Sequence, residues 1–288
     1  MKGSVVAIGT FDGIHKGHQS LISKLITIAK KKKLSSIVVA LSNPVRHVSG
    51  ILTTPDEKIN ILKQFPVDNV VVLKVSQNLI SQDAKFFVEK FLVEKLKTKH
   101  LVVGSNFTFG QARHGNVKWL KKNASALGIK ITVQNFVCFH GNAVSSSRIR
   151  SIIHQGRIGY ANRLLGRNYS FEGIPVKGRG VGKKMGFPTI NIKVQKGKLL
   201  PNGVFIASVE KNGLHLPGLI NIGHRPTFLK KGSIVPEVFL LDFHKKWPKG
   251  KLQVNLLKHL RSERKYKTPN QLKKQIVLDI KRAEYFFN

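Results

Sequence analysis

Apolar residues in the first half of the chain fall in short runs at 5–8, 37–41, 70–73, 101–103 and 131–137. Such runs, rich in Val and Ile, are what strands buried on both faces require. Between them the spacing turns helical. Leu21, Ile22, Leu25, Ile26 and Ala29 share one face, and helices are predicted over 55–64 and 84–97. Strands alternating with helices predict a Rossmann-like parallel sheet covered on both sides. Ligands of such sheets bind at the carboxyl ends of strands, where the strand order reverses. After about Leu165 the texture changes to short alternating strands at 171–176, 204–209, 219–222, 236–243 and 252–257, separated by Gly, Pro and Asn. That pattern predicts an antiparallel barrel or sandwich. A last helix, opened by Pro269 in a favourable first position, carries Leu272, Ile276, Ile280, Ala283 and Phe287 toward it. The change of rhythm divides the chain into two domains, 1–165 and 166–288.

Composition narrows the class of protein. The 288 residues contain one cysteine, Cys138, which excludes an intrachain disulfide and fits a reducing, cytoplasmic setting. No apolar run is long enough to span a membrane, and the N-terminal residues lack a signal-peptide pattern. The charge is large, with 50 basic and 14 acidic residues and a net +36. Excess of that size points first to nucleic acid or an anionic surface. It is spread evenly, however: each predicted domain carries 25 Lys or Arg and 7 Asp or Glu. A docking face would concentrate charge, so no dedicated nucleic-acid or membrane partner is expected. The one tight run, 30–33, closes the first helix, where cations suit the dipole.

The candidate chemistry begins at Gly9-Thr10-Phe11-Asp12-Gly13-Ile14-His15-Lys16-Gly17-His18. A buried strand feeds a glycine-rich turn, which opens a helix. Backbone N–H groups and the positive dipole end are there to receive phosphate. Imidazoles at that point can stabilise the α-phosphate and departing pyrophosphate of a nucleoside triphosphate. Two histidines three apart also occur on ordinary surface turns; here strand, turn, His-x-Gly-His and helix occur together. Zinc ligation lacks an accompanying Cys, Asp or Glu cluster.

Two further segments have the same character. Val103-Gly104-Ser105-Asn106-Phe107-Thr108-Phe109-Gly110 joins a strand end to a polar turn. Val144-Ser145-Ser146-Ser147-Arg148-Ile149-Arg150 leads into a helix, where its serines are N-caps or, with the arginines, a phosphate grip. In the second half Gly186-Phe187-Pro188-Thr189-Ile190-Asn191 reads as a turn into a strand, with Thr189 and Asn191 projecting to one side. Those two side chains serve either a site or the turn's own hydrogen bonds.

Taken in order, these segments resemble the prokaryotic bifunctional riboflavin kinase/FAD synthetases over nearly the whole chain. The matching pieces continue with Leu165-Gly166-Arg167-Asn168-Tyr169, the stretch 182–191, Pro201-Asn202-Gly203-Val204-Phe205, Asn221-Ile222-Gly223-His224-Arg225-Pro226-Thr227-Phe228, Glu237-Val238 and Leu260-Arg261-Ser262-Glu263. The resemblance implies an α/β nucleotidyltransferase domain making FAD from FMN and ATP. A β-barrel kinase domain then makes FMN from riboflavin and ATP, and each reaction uses Mg²⁺. His15 and His18 would stabilise charge on the reacting phosphates. Gly9 and Phe11 would border the nucleotide, Asn106 would orient phosphate, and Ser146, Ser147 and Arg150 would hold the triphosphate. Thr189 and Asn191 would hold Mg²⁺ and ATP phosphates, and Glu237 would be the general base on the ribityl 5′-hydroxyl. Gly178, Gly180 and Gly182 would bring backbone close to phosphate, with Arg179, Lys183 and Lys184 adding charge.

Three departures from the family pattern stand out. Its Pro-His-Pro element is replaced by Asn43-Pro44-Val45, with His47 out of register. The histidine two residues after the catalytic Glu is Phe239, and Asp-Leu-Tyr-Gly becomes Trp247-Pro248-Lys249-Gly250. The first puts adenylyl transfer at more risk than phosphorylation. A class I aminoacyl-tRNA synthetase also uses a His-x-Gly-His turn, but Lys183-Lys184-Met185-Gly186 is a poor lysine-serine loop.

Overall fold

The computed structural model describes residues 3–42, 50–178, 180, 182, 185–224, 234–243, 247 and 249–288. Asn43, Pro44, Val45, His47, Arg179, Lys183, Lys184, Pro248 and the 225–228 part of the Asn221 motif lie outside these residues. The chain forms two compact units, 1–146 and 147–288.

The first unit is built on parallel strands β1 (Ser4–Gly9), β2 (Ser35–Leu41), β3 (Asn69–Leu73) and β4 (Thr98–Gly104). Two residues each form β5 (Thr108–Phe109) and β6 (Gly115–Asn116), which pair as a small hairpin. Strand β7 (Lys130–Gln134) completes the sheet in the order β3-β2-β1-β4-β7. Period-two alternation supplies both of its cores. Val5, Ala7, Val38, Ala40 and Val102 pack with Leu21, Ile22 and Leu25 of helix α1 (Lys16–Lys32). Val6, Ile8, Ile37, Val39, Leu101 and Val103 face Phe87, Val88 and Leu92 on the other side. The chain runs outward from β1 through β2 to β3 and returns to β4 on the opposite flank. The reversal leaves a crevice at the carboxyl ends of β1 and β4. The strand expected over 131–137 stops at Gln134. Residues 138–139 instead form β8 (Cys138–Phe139), paired antiparallel with β9 (Asn142–Ala143).

The second unit begins with helices Ser146–His154 and Ile158–Leu165, the latter packed on the barrel strands β10 (Tyr169–Val176) and β15 (Leu252–Arg261). The other staves are β11 (Ile190–Val194), β12 (Gly203–Lys211), β13 (Leu214–His224) and β14 (Ile234–Leu240). They close in the order β10-β11-β14-β13-β12-β15, which decides between barrel and sandwich. Strand β14 ends at Leu240, short of the expected 243, because Leu241 and Asp242 turn, Asp242 at φ +49°. Strand β13 is longer than expected, since it pairs with β12 over 214–222 and with β14 over 218–224. The C-terminal helix Pro269–Phe287 buries Ala283 and packs Ile280 against Ile206, Leu219 and Leu241. Leu272 and Ile276 line a cavity instead of the core, and Phe287 is exposed.

Candidate active sites

In the first unit the turn after β1 is strained and packed. Phe11 and Ile14 are fully buried at φ +47° and +40°, values that side-chain-bearing residues rarely adopt. The buried Asp12 carboxylate holds the turn to the chain forty residues on. Oδ1 accepts from the N–H groups of Leu52 and Thr53 at 3.0 and 3.1 Å, and the Thr53 hydroxyl accepts from Gly13 N–H at 3.1 Å. Ser146 closes the other side, its hydroxyl donating to the Asp12 carbonyl at 2.8 Å.

This frame places the two histidines. His15 is the extended residue ahead of α1, and its ring does not cap the helix; no acidic side chain lies in the first turn. No carboxylate within the first turn therefore offsets the positive end of the dipole. The His15 and His18 rings stack at 3.8 Å between centroids, and the Phe11 ring backs His18 at 5.2 Å. Gly17 makes the stack possible, since a Cβ there would lie 3.1 Å from two atoms of the His15 ring. Gly9 ends β1, and Asn106 is exposed in the turn beyond β4, its Oδ1 beside Gly104. The helix Ser146–His154 carries Ser147 and the buried Arg150, which group with the second unit.

Sequence reasoning missed two residues of this frame, Thr53 and Lys58. Lys58 lies on helix α2 (Pro55–Leu62), which Thr54 and Glu57 start with a capping box. The side chain is buried, and Nζ donates to the carbonyls of Thr10 at 2.7 Å and Leu41 at 2.9 Å, joining the carboxyl ends of β1 and β2. Burial pushes its ammonium from 10.5 down to about 8, against the pull of Asp12. The unfolded chain thus holds this proton more firmly, and the cost of the buried charge is relieved as pH rises from 8 to 10.5. Stability of the first unit should gain up to about 3 kcal/mol across that window. The excess slope should vanish in Lys58→Met. Equal slopes in denaturant titrations of the two proteins would refute the assignment.

In the second unit a cavity of about 630 Å³ opens between the barrel and its C-terminal helix. Met185, Phe187, Leu219, Phe239, Leu272 and Ile276 give it apolar walls, and Thr189, Asn221 and Glu237 give it polar ones. Phe187 meets Phe239 edge to face at 6.1 Å, so the two rings build an apolar wall. Strand register sets the polar side. Glu237 of β14 is the direct partner of Asn191 on β11 and of Asn221 on β13, so the three form a row across adjacent strands. Asn191 is 3 % exposed, and its Oδ1 has no hydrogen-bond partner among the described residues. Gly178 lies directly over it, where a Cβ would collide with Asn191 Nδ2. Gly182 similarly approaches the Phe187 carbonyl, with Thr189 Oγ1 beside it.

One wall of this cavity is tied by charge. Arg261 donates through Nε to Asp279 Oδ2 at 2.9 Å, with a second nitrogen at 2.8 Å, and Gln275 donates to Asp279 Oδ1 at 2.9 Å. Asp279 is 2 % exposed. Asp279→Ala leaves Arg261 partly buried without its counterion, at an expected cost of roughly 3 kcal/mol. Denaturant unfolding followed by Trp247 fluorescence measures it, and a loss below 1 kcal/mol would show that the pair does not hold the helix.

Residues 1–148 match the FAD synthetase family, and residues 165–287 match the riboflavin kinase family. Over 99 % of the chain, relatives described as bifunctional riboflavin kinase/FMN adenylyltransferase are 32 % identical. They include proteins of Buchnera aphidicola (from Schizaphis graminum), Bacillus subtilis and Escherichia coli, of which 94, 93 and 93 % are covered. A crystal structure described as a macrolide-efflux protein from Streptococcus pneumoniae superposes with a TM-score of 0.89 at 26 % identity, covering 98 % of this chain and 94 % of that one. Among the described residues no helix is long and apolar enough to cross a membrane.

Proposed function

The chain belongs to the bifunctional riboflavin kinase/FMN adenylyltransferase family, and we propose that it phosphorylates riboflavin to FMN in residues 166–288 and adenylylates FMN to FAD in residues 1–165. The observation that supports the reading is the occurrence, on these two folds, of two groupings suited to phosphate chemistry. One is a stacked histidine pair at an uncapped helix start. The other is a carboxylate flanked by two asparagines in a half-apolar cavity.

In the first unit the attacking group is the FMN phosphate, already anionic, so positioning and charge stabilisation carry the rate. His15 and His18 donate to the α-phosphate and departing pyrophosphate, with Phe11 bracing His18 from below. Gly9 and Asn106 border the nucleotide, and Ser146, which ends the first unit, grips the triphosphate. In the second unit Glu237 takes the proton of the ribityl 5′-hydroxyl as the hydroxyl oxygen attacks the γ-phosphate of ATP, and the bond to ADP breaks, ADP leaving. The glycines of the 178–182 loop let backbone approach the phosphates.

The donor set of the second site suits a hard cation. Asn191 keeps a buried, unpartnered carbonyl oxygen beside the Glu237 row, and the Thr189 hydroxyl is the second oxygen. Thr189 and Asn191 would hold Mg²⁺, which takes few protein ligands alongside phosphate oxygens. When bound, it neutralises charge on the ATP phosphates. Riboflavin, FMN and ATP are the small-molecule partners, and the cytoplasm is the compartment that a single-cysteine chain fits.

The test is a paired assay with Mg-ATP, riboflavin in one reaction and FMN in the other. FAD is expected from both. FMN accumulation without FAD would remove the first activity and implicate the departure at 43–45. Absence of both products would overturn the proposal.

A further inference from the structure

Asn221 belongs to no role assigned so far, yet it lies in the same row as Glu237. Directly opposed residues on antiparallel strands have Cβ atoms about 4.5–5.5 Å apart and point to the same face. Glu237 is so opposed on both sides, by Asn191 and by Asn221. Asn191 is covered by Gly178, whereas Asn221 and Glu237 both line the cavity. Asn221 Oδ1 is buried and has no hydrogen-bond partner among the described residues. An unpaired acceptor of this kind costs stability unless a ligand supplies the donor.

We propose that Asn221 is a positioning residue for riboflavin phosphorylation: from the strand position beside Glu237, its buried Oδ1 accepts from a hydroxyl of the polyol tail. The inference rests on Glu237 acting as the base. An asparagine suits the place because its amide oxygen is an acceptor, and a hydroxyl-bearing substrate brings the donor. A hydroxyl held there lies beside Glu237, so the reacting end of the polyol is lined up with the carboxylate.

Kinetics of Asn221→Ala and the isosteric Asn221→Asp test this, with Glu237→Gln alongside. Asn221→Ala should lower kcat/KM for riboflavin about 3- to 10-fold, the scale of one neutral hydrogen bond. KM for ATP should change little. Asn221→Asp keeps an acceptor oxygen at the same place and should lose less than Asn221→Ala. A merely structural role would lower the active fraction and leave kcat/KM per active enzyme in place. If Glu237→Gln loses turnover while both Asn221 variants keep wild-type kcat/KM for riboflavin, the inference is overturned and the Glu237 assignment stands. If Glu237→Gln keeps its turnover, both fall together.

Discussion

Glu237→Gln is expected to lower riboflavin phosphorylation by about 10²–10⁴-fold, the range for removing a general base. Glutamine keeps the size and polarity of the side chain and removes only the proton acceptor. The row Asn191–Glu237–Asn221 should survive it, because it is set by the backbone pairing of β11, β14 and β13. The loss should therefore appear in kcat more than in KM. FAD formation from supplied FMN should continue at the wild-type rate, since the site for it is built on a different sheet with its own cores. Parallel loss of both activities would refute the division of labour. Retention of kinase turnover would remove Glu237 from the mechanism.

His18→Ala is expected to lower FAD synthesis by roughly 10²–10³-fold, the scale for one preorganised donor to a developing oxyanion. The helix should persist: His18 lies in the first turn of α1, whose hold on the sheet comes from Leu21, Ile22 and Leu25. Two effects add in this variant. One imidazole is lost, and the other loses the ring that stacks on it at 3.8 Å. His15→Ala should be of similar size, and the double variant should fall well short of the product of the two, since neighbours that share a stack are not additive. Riboflavin phosphorylation is the internal control. Unchanged FAD synthesis in His18→Ala would sink the assignment of this turn.

Local pattern made much of this legible. Runs of Val and Ile too short for helices marked the parallel strands, since a strand buried on both faces must be apolar at every position. The Gly9–His18 segment showed a strand, a turn and a helix start within ten residues, and the chemistry of such a start follows from its unpaired N–H groups. Thr189 and Asn191, two apart, read as projecting to one side of a strand, whereas the strand begins at Ile190 and only Asn191 lies on it. Element ends were less legible. The apolar alternation over 236–243 runs on through Leu241 and does not mark the turn there, where Asp242 takes positive φ.

Contacts over long separations were invisible. Asp12 is held by Leu52 and Thr53, Lys58 by Thr10 and Leu41, and Arg261 by Asp279. Periodicity has no signal for such pairs, since they arise only once the sheet or barrel brings distant segments together. The partnership of Asn191, Glu237 and Asn221 is of the same kind: sequence places each on a strand, and only register makes them neighbours. The terminal helix carries the same lesson, with one apolar stripe serving two ends, Ala283 in the core and Leu272 and Ile276 on the cavity wall. By itself the sequence determined the two-part architecture, the elements and the chemistry-bearing turns, because these rest on interactions within a few residues. Tertiary structure alone decided barrel over sandwich, the strained seat of the histidine pair and the polar row around Glu237, because each depends on which distant strands lie side by side and in what register.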